Sequence, residues 1–137
     1  YGYPMIYVAA ELQELVIDTA RTTEGAVGGA VLQAINQAIT QSGTILLEPM
    51  MKLEITIPEN CLGEVSMYLQ PRRAVIAEMQ DAGLVIKKIL CTVPLAEMFG
   101  FGKALPRLTG GRGAFSMEPC GYQPVNAQTM AQKLGLA

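Results

Sequence analysis

Met51-Lys52-Leu53-Glu54-Ile55-Thr56-Ile57-Pro58 alternates apolar and polar side chains with a period of two. Successive strand side chains point to opposite faces, so the stretch predicts a half-buried β-strand with Met51, Leu53, Ile55 and Ile57 on its core side. Pro58 has no N–H to give to a ladder and should stop it. Downstream, Leu62, Val65 and Leu69 fall on one helical face, and Pro71 cannot continue that helix. Val75, Ala77 and Met79 alternate with Ile76, Glu78 and Gln80 as a second strand. Asp81-Ala82-Gly83 reads as a hairpin-type turn, and Leu84 to Val93 as a third strand stopped by Pro94. Leu95, Met98, Phe99, Leu105 and Leu108 mark a second helix. Gly110-Gly111-Arg112-Gly113 is the turn out of it, and Ala114 to Glu118 a fourth strand.

The order is strand-helix-strand, twice, and a weak internal repeat supports it. Each half has a strand ending in Pro (Pro58, Pro94). An apolar-x-Glu start follows (Leu62-Gly63-Glu64, Leu95-Ala96-Glu97), and then a Pro-Arg pair near the helix end (Pro71-Arg72, Pro106-Arg107). Two βαβ units with right-handed crossovers predict an α+β fold of βαββαβ order. This is a ferredoxin-like plait, a four-stranded antiparallel sheet with two helices on one face.

Upstream, the charge changes sign. Residues 1–49 carry one base, Arg21, against five acids, a net −4; residues 50–137 carry nine bases against seven acids, a net +2. The change falls at Glu48-Pro49, where Pro also breaks local structure. Residues 1–47 are therefore read as one module, 48–125 as the plait and 126–137 as a tail helix capped by Asn126. In the first module, Met5 to Ile17 is rich in β-branched and apolar residues and predicts one or two strands. Thr22-Thr23-Glu24 can cap a helix, and Val27, Val31, Ala34, Ile35, Ala38 and Ile39 give it one apolar face. Gly43 is expected to end it in a left-handed cap. One helix and one or two strands close no core of their own, so this βα piece reads as incomplete. The first residue is Tyr1 rather than Met, which suggests a portion of a longer protein.

Composition narrows the chemistry. The chain has 137 residues, 50% hydrophobic and 16% charged, with a net charge of −2. That suits a packed core and gives no strong global field toward nucleic acid or anionic lipid. There is no His, which excludes Ser-His and Cys-His nucleophile systems and His-ligated metals. Cys61, Cys91 and Cys120 form no C-x-x-C pair and read as free thiols of a reducing compartment. No apolar run approaches the ~20 residues of a membrane helix.

The remaining candidates are few. Gly25-Ala26-Val27-Gly28-Gly29 and Gly110-Gly111-Arg112-Gly113 match no phosphate-loop pattern. Glu64 and Glu97 sit at equivalent helix starts, as first-turn stabilisers rather than an acid/base pair. Met50, Met51, Met67, Met79, Met98 and Met117 read mostly as core filling. The pseudo-repeat is expected to gather Arg72, Arg73, Lys103, Arg107 and Arg112 at one end of the sheet. There they are either a solvated, dipole-matched helix end or a phosphate-binding patch for structured RNA. An acylphosphatase-type enzyme on the same plait would need an Arg and an Asn around a phosphate, and the loop Pro58-Glu59-Asn60-Cys61 has no Arg. A regulatory ligand-binding plait is the other alternative.

Several segments resemble elongation factor G. Gly43-Thr44-Ile45-Leu46-Leu47-Glu48-Pro49-Met50-Met51-Lys52 is similar to the family's "G-x-x-LLEP-x-MK" junction. Val93-Pro94-Leu95-Ala96-Glu97-Met98-Phe99-Gly100 is similar to its "VPLAEMFGY", and Leu108 to Glu118 to its "LTxGRGxxSME". Gly2-Tyr3-Pro4, Arg72-Arg73 and Tyr122-Gln123-Pro124-Val125 resemble further motifs in the same order. Pro71 and Ala74 flank the two arginines where the family has "RRRG", and Pro106 stands where Arg is usual.

The resemblance implies the end of domain IV over residues 1–47 and domain V, a ferredoxin-like fold, over 48–125. It implies a bacterial cytoplasmic (or organellar) parent that binds GTP and Mg²⁺ through an N-terminal domain and moves tRNA and mRNA on the ribosome. This portion would hold no cofactor and catalyse nothing. It would touch large-subunit rRNA and the stalk-base protein, with Arg72, Arg73, Lys103, Arg107 and Arg112 as contacts. Tyr7, Gly121 and the run Glu11 to Ile17 depart from the translocase pattern, the last toward recycling-type paralogues. Ribosome recycling and tetracycline protection therefore remain alternatives, the latter last because those proteins lack "VPLAEMFG".

Overall fold

The computed structural model describes residues 3–126, 128, 129 and 132. The chain divides into two compact units, Leu46–Ala127 and Tyr1–Ile45 with Gln128–Ala137.

The larger unit is the plait. Its elements are β1 (Leu47–Pro58), α2 (Leu62–Leu69), β2 (Val75–Asp81), β3 (Ile86–Pro94), α3 (Phe101–Thr109) and β4 (Ala114–Pro124). The sheet order is β2-β3-β1-β4, antiparallel throughout, with Leu53 facing Cys91 on one side and Met117 on the other. As the alternation requires, Met51, Leu53, Ile55 and Ile57 point to one side. There they pack with Ile89, Cys91 and Val93 of β3, Val65 and Leu69 of α2, and Phe101 and Leu105 of α3. The other side of the sheet is polar, and Lys88 pairs with Glu54 across it at 2.8 Å. β1 is longer than its alternation predicts, because its start at Leu47 pairs with Pro124, a residue beyond the expected end of β4. Pro119 and Pro124 are tolerated there because β4 is an edge strand.

The second helix departs from its expected pattern. Leu95–Met98 is a 3₁₀ turn, and Gly100, at φ 83°, separates it from α3. The break resets the helical phase, so Phe101 is fully buried while Phe99, expected inward, is 79% exposed. Methionine also departs from its core pattern. Met50, Met51 and Met98 are buried, but Met67, Met79 and Met117 are exposed, Met79 and Met117 on the edge strands. Leu84 and Val85 belong to the β2–β3 hairpin tip rather than to a strand.

The other unit carries α1 (Glu24–Ser42), capped as expected by Thr23, whose Oγ1 accepts from the Ala26 N–H at 3.2 Å. Gly43 ends it with a positive φ of 73°, but its ψ of 156° lies outside the left-handed cap anticipated. The strands expected over Met5–Ile17 are absent. No residue between Tyr3 and Thr23 is in a ladder, and Asp18 to Thr22 form a turn in which the Thr22 N–H donates to the Asp18 carbonyl at 2.7 Å. β-propensity makes no strand without a neighbouring edge to receive its N–H and C=O groups. Of the expected tail helix, residues 128, 129 and 132 are described and helical; the rest beyond Asn126 lies outside the described residues.

Candidate nucleic-acid interface

The five basic residues singled out in the sequence do not share one end of the sheet, which corrects the expectation drawn from the pseudo-repeat. β1 and β3 are antiparallel neighbours, so the helix after each runs back in the opposite sense. α2 therefore ends beside the start of β1, and α3 ends beside the start of β4, where Ala114 faces Thr56. A repeat in sequence becomes a reversal in space. From Glu48 to Thr56 the strand covers roughly 26 Å at ~3.3 Å per residue, which sets the scale of the separation.

Arg72 and Arg73 lie at the first end, and both are engaged within the domain. The 3₁₀ turn Gln70–Arg72 leaves Arg73 in the left-handed region at φ 55°, which a non-glycine residue holds only when its surroundings fix it. They do. The Arg73 guanidinium forks the Glu48 carboxylate, Nη1 to Oε1 at 2.6 Å and Nη2 to Oε2 at 3.0 Å, and its Nε donates to Glu97 Oε1 at 3.1 Å. Glu48 is 5% exposed, so this fork neutralises a buried carboxylate. The hydrogen bond to Glu48, ahead of the partial burial that opposes it, pushes the Arg73 pKa above its ordinary value. Arg72 lies 4.2 Å from the centre of the Tyr68 ring, donates to the Tyr68 hydroxyl at 2.6 Å and donates to the Glu97 carbonyl. These contacts tie α2 and the Leu95–Met98 turn to the start of β1.

Lys103, Arg107 and Arg112 belong to α3 and the loop after it, and all three are exposed. Lys103 and Arg107 are four residues apart and so share a helical face. No carboxylate pairs with any of the three among the described residues. The end of α3 is built to hold Arg112. Thr109 is buried; its hydroxyl donates to the Leu105 carbonyl at 2.8 Å and accepts the Gly113 N–H at 2.9 Å. Gly110 takes the left-handed cap at φ 59°, and the Arg112 Nε donates to the Thr109 carbonyl at 3.3 Å. A side chain on Gly110 would begin 4.0 Å from that Nε, and one on Gly113 would meet Thr109 at 2.8 Å.

Sequence reasoning missed the neighbours of Arg112. A cavity of about 320 Å³ is lined by Pro58, Glu59, Asn60, Val85 and Arg112, so the loop without an Arg of its own receives one from the far side of α3. The pairing of Thr56 with Ala114 is what brings the two loops together. Glu59 also pairs with Lys87 at 3.4 Å, and Lys87 with Asp81; the hydrogen bond to Asp81 is the main cause that raises the Lys87 pKa. Among the described residues no group of three or more His, Cys, Asp or Glu could hold a metal ion, and no helix is long and apolar enough to cross a membrane.

Known proteins share this architecture. A crystal structure from Thermus thermophilus superposes with a TM-score of 0.64 at 35% sequence identity, over 72% of this chain and 15% of that one. The present chain thus spans a small part of the protein it matches. The family model "Elongation factor G C-terminus" matches residues 45–133, which contain the whole plait. With that match over more than half its length, the chain belongs to the elongation factor G C-terminal family.

Proposed function

We propose that this chain is the ribosome-contacting end of a translational GTPase that promotes movement of tRNA and mRNA during elongation. The observation that carries the reading is the set of exposed cations on α3 and its exit loop, Lys103, Arg107 and Arg112, none paired with a carboxylate among the described residues. Unpaired arginine forks on a rigid element suit phosphate oxygens of structured RNA. In this reading they meet large-subunit rRNA near the stalk-base protein. Arg72 and Arg73, taken up by Tyr68, Glu97 and Glu48, hold the domain in shape behind them. Residues 1–47 belong with the module that reaches tRNA and mRNA, and the parent acts in the cytoplasm.

GTP and Mg²⁺ belong to an upstream domain in this reading. The present residues do not fit them, since the chain has no G-x-x-x-x-G-K-[ST] loop and no metal-ligand cluster among the described residues. The catalytic step is therefore not assigned to this portion. A ribosome-recycling parent is the second reading, favoured by the run Glu11-Leu12-Gln13-Glu14-Leu15-Val16-Ile17.

The test is ribosome co-sedimentation of the full-length parent with Arg107→Ala and Arg112→Ala combined, over a salt series. Removing a phosphate-binding cation should weaken binding and flatten the log–log salt slope by about one unit. An unchanged slope would return both arginines to solvated positions at a helix end.

A further inference from the structure

The cavity beside Arg112 belongs to neither the core nor the cationic face of α3. Its floor and walls are apolar, from Ile57, Pro58, Val85 and Ile86, and its polar groups are Arg112, Asn60 and Glu59. Two open depressions of about 320 and 310 Å³ share Pro58, Val85 and Arg112 in their linings. Each is near the lower size limit of small-ligand sites, ~300 Å³. The polar groups are placed rather than loose. The Arg112 Nε is held by the Thr109 carbonyl, which leaves the two terminal nitrogens of the fork uncommitted to any carboxylate among the described residues. The Asn60 Oδ1 accepts from the Cys61 thiol at 3.6 Å, which orients the amide and leaves its N–H₂ group to donate. The Glu59 N–H is fixed by the Val85 carbonyl at 2.9 Å, so the two walls of the cavity are tied together.

We infer that this cavity takes one unpaired nucleotide of an RNA partner, with its phosphate on the Arg112 fork, its base against Pro58 and Val85, and its base edge read by Asn60 and Glu59. The inference rests on the RNA-contact reading above and deepens it. A bare phosphate would use Arg112 and have no need of the apolar wall. An apolar side chain would use the wall and leave Asn60 and Glu59 idle. A splayed-out nucleotide uses all three kinds of group, which is how single-stranded and bulged RNA is read. An acidic, apolar peptide segment is the rival occupant. Charge does not separate the two, since phosphate and carboxylate both suit Arg112; the nucleotide differs in offering a planar base edge to Asn60 and a flat face to Pro58 and Val85.

The test is NMR titration of the full 137-residue chain with adenosine 5′-monophosphate, with ribose 5-phosphate as the baseless control and a short Asp/Leu peptide as the rival. Saturable shifts of the Asn60 side-chain amide, the Val85 methyls and the Arg112 Nε–H, seen with the nucleotide and not with ribose 5-phosphate at Asn60, are expected. Asn60→Ala and Arg112→Ala should each weaken nucleotide binding about tenfold, as loss of a hydrogen bond to a charged or polar partner does. Their melting temperatures report that the chain still folds. Response at Arg112 alone, equal response to ribose 5-phosphate, preference for the peptide, or no response overturns the nucleotide site. Asn60 lies outside the proposed phosphate-contact set. Parent protein that still sediments with ribosomes while the AMP titration is silent would therefore sink this inference and leave the broader reading standing.

Discussion

Gly113 shows how one missing methyl group is dictated by its surroundings. A Cβ there would lie 2.8 Å from both Cγ2 and Oγ1 of Thr109 and 3.2 Å from Cγ2 of Ile57. Thr109 is itself held, its hydroxyl bridging the Leu105 carbonyl and the Gly113 N–H, so it cannot retreat cheaply. Gly113→Ala is expected to destabilise the domain by about 2 kcal/mol, the cost of overpacking a closed site. Urea denaturation measures it, and in a Thr109→Ala background the added cost should fall to a fraction of that, because the clashing atoms are gone. Equal costs in both backgrounds would mean the clash is not the cause. Cys91 is a second case. It is 1% exposed among Leu53, Ile89 and Val93, and burial raises its pKa from 9.0 to about 11. The native state therefore favours the neutral thiol. The stability this represents is full below pH 9 and is lost as pH rises toward 11, because the unfolded chain ionises first. Across that range wild type should lose roughly 2 kcal/mol more stability than Cys91→Val, read from melting curves of both. Parallel curves would show that the thiol stays out of contact with the titration.

At the scale of elements, the ends of β1 do different work. Its first end is bound to the α2 exit and the Leu95–Met98 turn through Arg73, Glu48 and Glu97. Arg73→Met would remove the guanidinium fork from Glu48, which is 5% exposed. A third of the Arg73 side chain is in solvent, so a cost of about 2 kcal/mol is expected rather than the full ~3–5 of a wholly buried pair. Adding Glu48→Leu should recover most of it. A single variant as stable as wild type would show that water already serves Glu48. This clamp was hard to foresee, since Arg73 and Glu97 read in sequence as an RNA contact and a helix-start acid. Their pairing depends on where two chain reversals arrive, which no local pattern encodes. Strands and helices with a clear period were legible, as Leu53, Ile55 and Ile57 against Val65 and Leu69 show. What periodicity could not convey was phase across a break, hence Phe99 outside and Phe101 inside, and the direction of each helix relative to its repeat partner. For the same reason, Arg112 could be singled out from its glycine-rich turn while its neighbours Asn60 and Val85 could not.

For the molecule as a whole, the two units differ in how their backbone groups are satisfied. In Leu46–Ala127, β1 is paired on both sides, and Leu53, Ile55 and Ile57 are at most 1% exposed. In Tyr3–Ile17 no amide takes part in a ladder, and Tyr7, Val8, Leu12 and Val16 are each more than 60% exposed. α1 has no buried residue. Amides outside any ladder or helix exchange by local opening, whereas those of a central strand wait for global opening. With an ordinary domain stability of at least ~5 kcal/mol, the Leu53–Ile57 amides should exchange more than about a thousandfold slower than those of Met5–Ile17. Hydrogen exchange followed by mass spectrometry at peptide resolution reads both segments in one experiment. The same measurement on the parent protein should raise protection in Met5–Ile17 and leave Leu53–Ile57 unchanged, because the plait already closes its own core. Strong protection of Met5–Ile17 in the 137-residue chain alone would overturn this division. It would mean that the apolar run has found an edge to pair with, and protein concentration dependence would then identify that edge as one on a second copy.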